Sequence, residues 1–403
     1  MPDFPATRAA ALDRLITFAP KAGRAYASGR NTDVGPGNPT AVSMLSPYLR
    51  RRMITEREVV DEVLKHHSPE AAEKFIQEVF WRTYWKGWLE MRPAVWDHFL
   101  AEREAALADP PADYDAAIQG RTGIEGFDDW AQELVQTGWL HNHARMWFAS
   151  IWIFTLRLPW ALGADFFYRH LLDADPASNT LSWRWVAGLH TKGKTYLARA
   201  DNIEKYTNGR FRPNNLAPFA EPLIEGFETP APLPPRQAQT RVPHGPYALL
   251  LTEDDLHPES WPGFKDNPPQ EVIVLNPLPP ESNLNNGDIA TQFSKDAMQD
   301  AITRMDRPVT FLDAHPDRLE QTASGLMQTM SGLKADGLLI PYRLCGPSAS
   351  ILNQSLVKID AQGITVHELK RSCDDHAWPH ATAGFFKLKK KIPKLLSQAG
   401  LTD

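Results

Sequence analysis

Thr137-Gly-Trp-Leu-His-Asn-His-Ala-Arg-Met146 sits where two helical patterns meet, Asp128 to Gln136 and Asn142 to Leu156. Asn142, Arg145 and Met146 stand at i, i+3 and i+4, so a helix puts all three on one face. The run from Met146 to Phe154 is the most apolar in the chain. It is shorter than a membrane span and is followed by Arg157 and Pro159, which makes it a buried helix. A lone methionine on such a helix is usually core.

Working outward, the helical period extends over Glu56 to His66 and Ala71 to Leu89, and residues 1–228 are expected to form an all-helical domain. Phe75-Ile-Gln-Glu78-Val-Phe-Trp81-Arg82 puts Glu78, Trp81 and Arg82 on one face. Taken alone, such a face is more often a surface patch over a packed indole. Downstream, Trp160 precedes Leu172-Asp173-Ala-Asp175-Pro-Ala-Ser-Asn179-Thr-Leu-Ser-Trp183-Arg-Trp185, whose two carboxylates could simply cap a loop. Upstream, Tyr26-Ala-Ser-Gly-Arg30-Asn31 is followed by Ser43-Met-Leu45-Ser46-Pro. Hydroxyls and free N–H groups at a helix start can cap the helix or cradle a diphosphate.

The proline-rich stretch that begins Thr229-Pro-Ala-Pro-Leu-Pro-Pro235 cannot sustain a helix or a central strand, so residues 229–245 are expected to be a semi-rigid linker. In residues 246–403 the pattern changes. Strands are expected at Tyr247 to Leu251, Glu271 to Leu275, Val309 to Leu312, Gly337 to Ile340 and Ile364 to Leu369. Helices are expected near Ser294 to Met305, Asp317 to Leu333, Ser348 to Val357 and Phe385 to Gln398. This alternation describes a parallel-sheet, Rossmann-like α/β domain, so the fold class is multi-domain, α followed by α/β. It has no GxGxxG or GKS/GKT phosphate loop.

At 403 residues, the length suits two domains, each with its own apolar interior. The net charge of −6 argues against a broadly nucleic-acid-coating surface, so any such site must be a local basic patch. Arg184, Lys192, Lys194, Arg199, Lys205, Arg210 and Arg212 form one, against only Asp201 and Glu204. Two cysteines, Cys345 and Cys373, make neither a disulfide framework nor a metal ligand set, and no metal is expected. A reducing cytoplasm, no membrane association and a monomeric state are the expectations that follow.

The four helical segments, in this order and spacing, resemble the photolyase/cryptochrome family over most of residues 26–212. The resemblance implies an FAD-binding helical domain. By it, Tyr26, Ser43, Leu45, Ser46, Phe75, Glu78, Arg82, Trp139, Asn142, Arg145, Asp173, Asp175 and Asn179 hold the cofactor. Glu78, Trp81, Asn142, Met146 and Trp185 take the catalytic positions at the damaged bases, Trp81 by stacking on the lesion and Glu78 by hydrogen bonding. Trp183 and Trp160 match electron-relay tryptophans. The distal relay member has no counterpart near Leu107 to Tyr114, so photoreduction is expected either to use another ring, such as Trp147 or Trp152, or to be weak. Arg30, Arg184, Lys192, Lys194 and Arg199 are expected to contact DNA. His141 and His143 receive no catalytic role. Where the family usually has threonine this chain has Val42, which removes one phosphate contact.

Cys373-Asp-Asp375-His376-Ala-Trp-Pro followed by Phe385-Phe-Lys-Leu-Lys-Lys390 resembles the end of the family's antenna domain. The resemblance implies a circular permutation, with the FAD domain first, and leaves room for a second antenna chromophore of unknown identity. The implied function is light-dependent repair of cyclobutane pyrimidine dimers in damaged DNA, a carbon–carbon lyase reaction. The alternatives are a cryptochrome-type photoreceptor and an enzyme for (6-4) photoproducts or single strands.

Overall fold

The computed structural model describes residues 3–38, 40–277, 287–314, 319–333, 335, 337–360 and 363–402. From Arg8 to Tyr206 its regular elements are all helical. α1 (Arg8–Phe18), α2 (Arg24–Gly29) and α3 (Ser46–Arg50) lead into α4 (Glu56–Leu64) and the long α5 (Glu73–Glu90). α6 (Ala94–Ala108), α7 (Tyr114–Ile118) and α8 (Phe127–Thr137) follow. α9 (Asn142–Ser150), α10 (Trp160–His170), α11 (Pro176–Val186) and α12 (Ala200–Tyr206) complete the set.

Local chemistry sets these boundaries. Thr55 and Glu58 form a reciprocal capping box at the start of α4, an arrangement worth about 1 kcal/mol. Gly138, in the left-handed region at φ 68°, ends α8. The single helix expected from Asn142 to Leu156 is instead α9 followed by a π-helical turn over Ile151–Thr155. There the Trp152 carbonyl accepts from the Leu158 N–H at 3.1 Å, and its indole N–H donates to the Pro159 carbonyl at 2.9 Å. These bonds close a wide turn before a proline that cannot extend a helix.

Beyond Tyr206 the chain runs without helix or strand to β1 (Tyr247–Leu251). The proline-rich connector is pinned on both sides. Leu233 N–H donates to the Met91 carbonyl at 2.9 Å, and Gln239 N–H to the Glu368 carbonyl at 2.8 Å.

β2 (Glu271–Pro277), β3 (Val309–Ala314), β4 (Gly337–Pro341) and β5 (Thr365–Leu369) join β1 in one parallel sheet of order β3-β2-β1-β4-β5. α13 (Asp288–Met305), α14 (Leu319–Ser331) and α15 (Pro347–Asp360) are the crossovers. Of the helix expected at Asp317 to Leu333, residues 317 and 318 lie outside the described residues. After β5 come α16 (Ser372–Ala377), α17 (Phe385–Lys389) and α18 (Ile392–Gln398). The single final helix expected is thus split in two, with Pro393 in the first turn of α18.

The sheet's alternation decides where the cores lie. Ala248, Leu250, Ile273, Leu275, Leu338 and Ile340 pack with Leu326 and Met330 of α14 and Ile351, Leu352 and Leu356 of α15. Their neighbours Leu249, Leu251, Val272, Val274 and Leu339 face the other way, into a core continuous with the helical half. Phe293, Ala297 and Ala301 of α13 belong to that same core. The sequence predicts separate interiors; the structure joins the two halves through one.

An ionic seam reinforces the join. Arg50 reaches Asp254 at 3.0 Å and Glu253 at 3.2 Å, Arg51 reaches Glu253 at 3.5 Å, and Arg52 pairs with Asp374 and, at 3.8 Å, with Asp255. Glu253, Asp254 and Asp255 follow the C-terminal end of β1, beside β4 where the strand order reverses. Sheets of this kind usually bind ligands in that crevice. Here three arginines from the helical half occupy it.

Candidate functional site

Asp173 is where the sequence segments meet. It lies buried ahead of α11 and accepts from Arg145 Nη1 of α9 at 3.1 Å; Arg82 Nη2 of α5 stands 3.9 Å away. Ser46, at the start of α3, stands close enough to help lower the Asp173 pKa. Asp175 caps α11 by accepting the Ser178 N–H at 2.8 Å, and it lies 3.6 Å from Arg82 Nη1 and 3.8 Å from Lys86 Nζ. Burial pushes both acids up, yet the facing cations hold both below the ordinary aspartate value. The Lys86 pKa is lowered too, which here disfavours the charged form: burial and the Arg52 charge outweigh Asp175 and Glu56.

This cluster is not closed on itself. Arg82 Nη1, Lys86 Nζ, Asp173 Oδ1 and Ser178 Oγ are buried without a hydrogen-bond partner. Such groups cost roughly 1–3 kcal/mol each unless something polar meets them. Adjacent donors and acceptors of both signs match the hydrogen-bonding edge of a flavin in chemistry. The cavity bounded by Arg50, Lys86, Asp175 and Cys345 encloses only about 10 Å³, room for one water at most.

Apolar walls flank the cluster. Tyr26 and Phe75 are buried and meet edge to face at 5.2 Å, and Leu45 is buried at the entry to α3. In the serine turn the Ser43 hydroxyl accepts the Leu45 N–H at 3.4 Å, while Met44 takes a left-handed φ of 54°. Asn179 is buried, and its amide donates to the Ala164 carbonyl at 2.8 Å, which fixes its orientation. Trp139 is half-buried and edge-on to His141. Asn142 is exposed in the first turn of α9, with Arg145 and Met146 half-buried on the same helix. His141 caps α9 and His143 stacks on Trp147 at 4.2 Å, both structural roles.

The mouth departs from expectation. Trp81, expected to present an open stacking face, is stacked instead on Phe385 of α17, with centroids 3.9 Å apart. The reason is the continuous core, which lays α17 against α5. Glu78, expected to face bases, accepts from Arg30 Nη1 at 2.8 Å. Burial raises the Glu78 pKa against the pull of Arg30. Trp185 is half-buried and stacks on Tyr196 at 5.8 Å.

The expected DNA contacts divide. Arg184 is fully buried and bidentate to Glu225, with its guanidinium 5.6 Å from the Trp160 ring, so it cannot meet a phosphate. Arg30 is committed to Glu78, and Arg199 is exposed but paired with Asp201 at 2.9 Å. Lys192 and Lys194 are exposed.

Around the expected relay, Trp183 is buried and edge-on to Trp152 at 6.1 Å. Gly163 permits this packing, since a Cβ there would lie 2.3 Å from the Trp183 ring. Trp152 in turn meets Tyr114 at 6.1 Å. Trp160 packs on Phe99 at 5.6 Å, among a different set of rings.

Sequence reasoning missed Lys86 and Phe385. Lys86 was legible, because it stands at i+4 from Arg82 on a helix already identified. Phe385 carried no local signal.

Residues 75–210 match the FAD binding domain of DNA photolyase. The deoxyribodipyrimidine photo-lyase of Alkalihalophilus pseudofirmus is 30% identical over 189 residues, which cover 46% of this chain and 39% of that protein. The deoxyribodipyrimidine photo-lyase of Agrobacterium fabrum is 32% identical over 183 residues, covering 44% of this chain and 37% of that protein. The matched segment thus spans less than half the length of these relatives. A bacterial class III photolyase from Agrobacterium tumefaciens is similar in structure at 28% identity and a TM-score of 0.42, covering 50% of this chain and 43% of that one.

Proposed function

Because residues 75–210 match the FAD binding domain of DNA photolyase, we propose that the chain is a photolyase/cryptochrome-family protein that binds FAD and repairs cyclobutane pyrimidine dimers in DNA under light. The observation that carries this reading is the convergence of Arg82, Arg145, Asp173 and Asp175, with buried valences left over, inside the segment that matches the FAD binding domain of DNA photolyase.

Ser43, Ser46 and the N–H groups that open α3 would hold the diphosphate. Arg82, Arg145, Asp173, Asp175 and Asn179 would hold the flavin, and Tyr26, Leu45, Phe75 and Trp139 would supply its apolar sides. Reduced FAD, when bound and excited, supplies one electron that lets the cyclobutane bonds split and is then returned, so the reaction has no net redox change. The chain's part is position and dryness. Glu78 would hydrogen-bond to the dimer once Arg30 lets it go, and Trp81 and Trp185 would flank an extruded dimer. Because Phe385 lies on Trp81, this requires α17 to yield.

We read the domain order as a circular permutation relative to the family, with the α/β half as an antenna-like domain. What supports this is the parallel five-stranded sheet placed after the helical half and fused to its core. The DNA partner is part of the same proposal. Among the described residues no helix is long and apolar enough to cross a membrane.

The test is to reduce the purified flavoprotein, illuminate it with a dimer-containing oligonucleotide, and follow recovery of the thymine absorbance band. Light-dependent recovery is expected, and Arg145→Ala should lose bound flavin. Colourless protein, or bound flavin without recovery, would overturn the reading.

A further inference from the structure

The C-terminal half carries a basic surface outside the sites so far described. Residues 385–394 read Phe-Phe-Lys-Leu-Lys-Lys-Lys-Ile-Pro-Lys, five lysines and no acid in a chain of net charge −6. Lys387, Lys390, Lys391 and Lys394 are exposed. Lys389 is the exception, lying 3.6 Å from Glu73 of α5. The lysines also converge from two helices, because Lys391, Lys394 and Lys387 all bear on the half-buried His380, whose pKa is lowered by burial and then by these three charges. Beside them Phe386 is 72% exposed, although a phenylalanine of a folded domain is normally inside.

Position adds a second argument. The residue before Phe386 is Phe385, which lies face to face with Trp81. Tyr84, next on α5, donates its hydroxyl to the Ala383 carbonyl at 2.9 Å and lies 3.1 Å from His190 Nε2. His190 belongs to the loop that carries the exposed Lys192 and Lys194. Two lysine-bearing segments therefore meet at Tyr84, on the stretch of α5 that carries Trp81.

We propose that the α17–α18 lysine face, with exposed Phe386, is a nucleic-acid surface that grips the phosphate backbone beside the aromatic mouth. The inference rests on the function proposed above but places the main grip in the α/β half. Lysines supply sequence-independent charge neutralisation, and the exposed ring supplies a stacking platform for an unpaired base. An anionic membrane is the poorer occupant, because an interfacial helix needs a continuous apolar face and α17 offers solvent one large apolar side chain on five residues.

The test compares the full chain with Lys387→Gln/Lys391→Gln/Lys394→Gln and with Phe386→Ala. Anisotropy of labelled undamaged and dimer-containing DNA is followed across salt concentrations, with circular dichroism as the folding check. The triple variant should bind both DNAs at least about tenfold more weakly, and its salt slope should fall by about 2 to 3. Phe386→Ala should weaken single-strand binding and leave the slope unchanged. Wild-type affinity and slope in the triple variant would overturn the proposal, as would loss of binding to phosphatidylserine vesicles with DNA binding intact. Dimer splitting on a short oligonucleotide separates the two readings: wild type that splits no dimer, while the triple variant still loses DNA, sinks the repair function and leaves this surface standing.

Discussion

The Trp81 indole and the Phe385 ring lie face to face, centroids 3.9 Å apart and 14° from coplanar. Offset or stacked aromatic pairs gain about 0.5–1.5 kcal/mol beyond their buried area, so the contact is a modest latch that a competing base can displace. Phe385→Leu keeps most of the apolar volume and removes the stacking. We expect the variant to prefer dimer-containing over undamaged DNA several-fold more strongly than wild type, measured as a ratio of dissociation constants. An unchanged ratio would mean that Trp81 never meets the lesion.

Gly87 lies inside α5, where alanine would ordinarily gain about 1 kcal/mol. A Cβ at this position would sit 2.4 Å from the ring of Trp378, which is fully buried. Gly87→Ala should therefore destabilise, by about 1–3 kcal/mol, against its helix propensity. Urea unfolding of the single variant, and of one that also carries Trp378→Leu, checks both the sign and the cause. Stabilisation by Gly87→Ala alone would contradict the packing.

How much of this was legible in the sequence depends on the range of each interaction. The strands of the α/β half and the helices α4, α5 and α8 stand where their periodicity puts them, because period and caps are local. The resemblance put Asp173 and Arg145 in one site, and they are paired there at 3.1 Å. Arg184 was misassigned as a surface cation because Glu225, 41 residues away, is invisible to a window that sees only neighbouring charges. Phe385 over Trp81 was missed for the same reason: its partner lies across the chain, and nothing in Phe-Phe-Lys says which ring turns inward.

The ionic seam should behave as a unit. Arg52 and Asp374 are paired with side chains 3% and 1% exposed, so removing Asp374 takes from the buried Arg52 its hydrogen-bonded partner and leaves Asp255 at 3.8 Å. Asp374→Ala should cost about 3–5 kcal/mol, and Lys65→Ala, which breaks an exposed pair, at most about 0.5 kcal/mol. Equal small losses in urea titrations of both would show that the halves are held by apolar burial alone.

Under the proposed function, electron supply to the flavin discriminates between Trp152 and Trp160 as the ring beyond Trp183. Trp152 touches it edge-on at 6.1 Å, whereas Trp160 packs on Phe99. Photoreduction of the bound flavin in the presence of thiol should slow at least tenfold in Trp183→Phe and in Trp152→Phe. Trp160→Phe with the greater loss would restore the relay implied by the resemblance.

Acid should weaken the fold through its histidines, because four of them are held neutral. Burial, the first cause in each case, pushes His141 and His170 down to about 4 and His190 and His257 to about 3. In the unfolded chain these groups return to about 6.5, so below that pH the unfolded state binds protons the folded one refuses. The histidine share of stability is therefore complete above about pH 6.5 and falls as the pH drops toward 4, while Glu90 and Glu133, raised by burial to about 7 and about 8, act in the opposite sense. For His141 alone, 2% exposed, the loss at pH 5 is on the order of 2 kcal/mol. Asp33 pulls its pKa up, while His143 and Arg145 push it further down. His141 accepts the His143 N–H at 3.2 Å as the cap of α9, so His141→Asn keeps a capping oxygen and removes the titration. Urea midpoints of the two proteins should be close at pH 7.5 and separate at pH 5 in favour of the variant. Parallel pH dependences would mean that His141 takes its proton inside the folded chain.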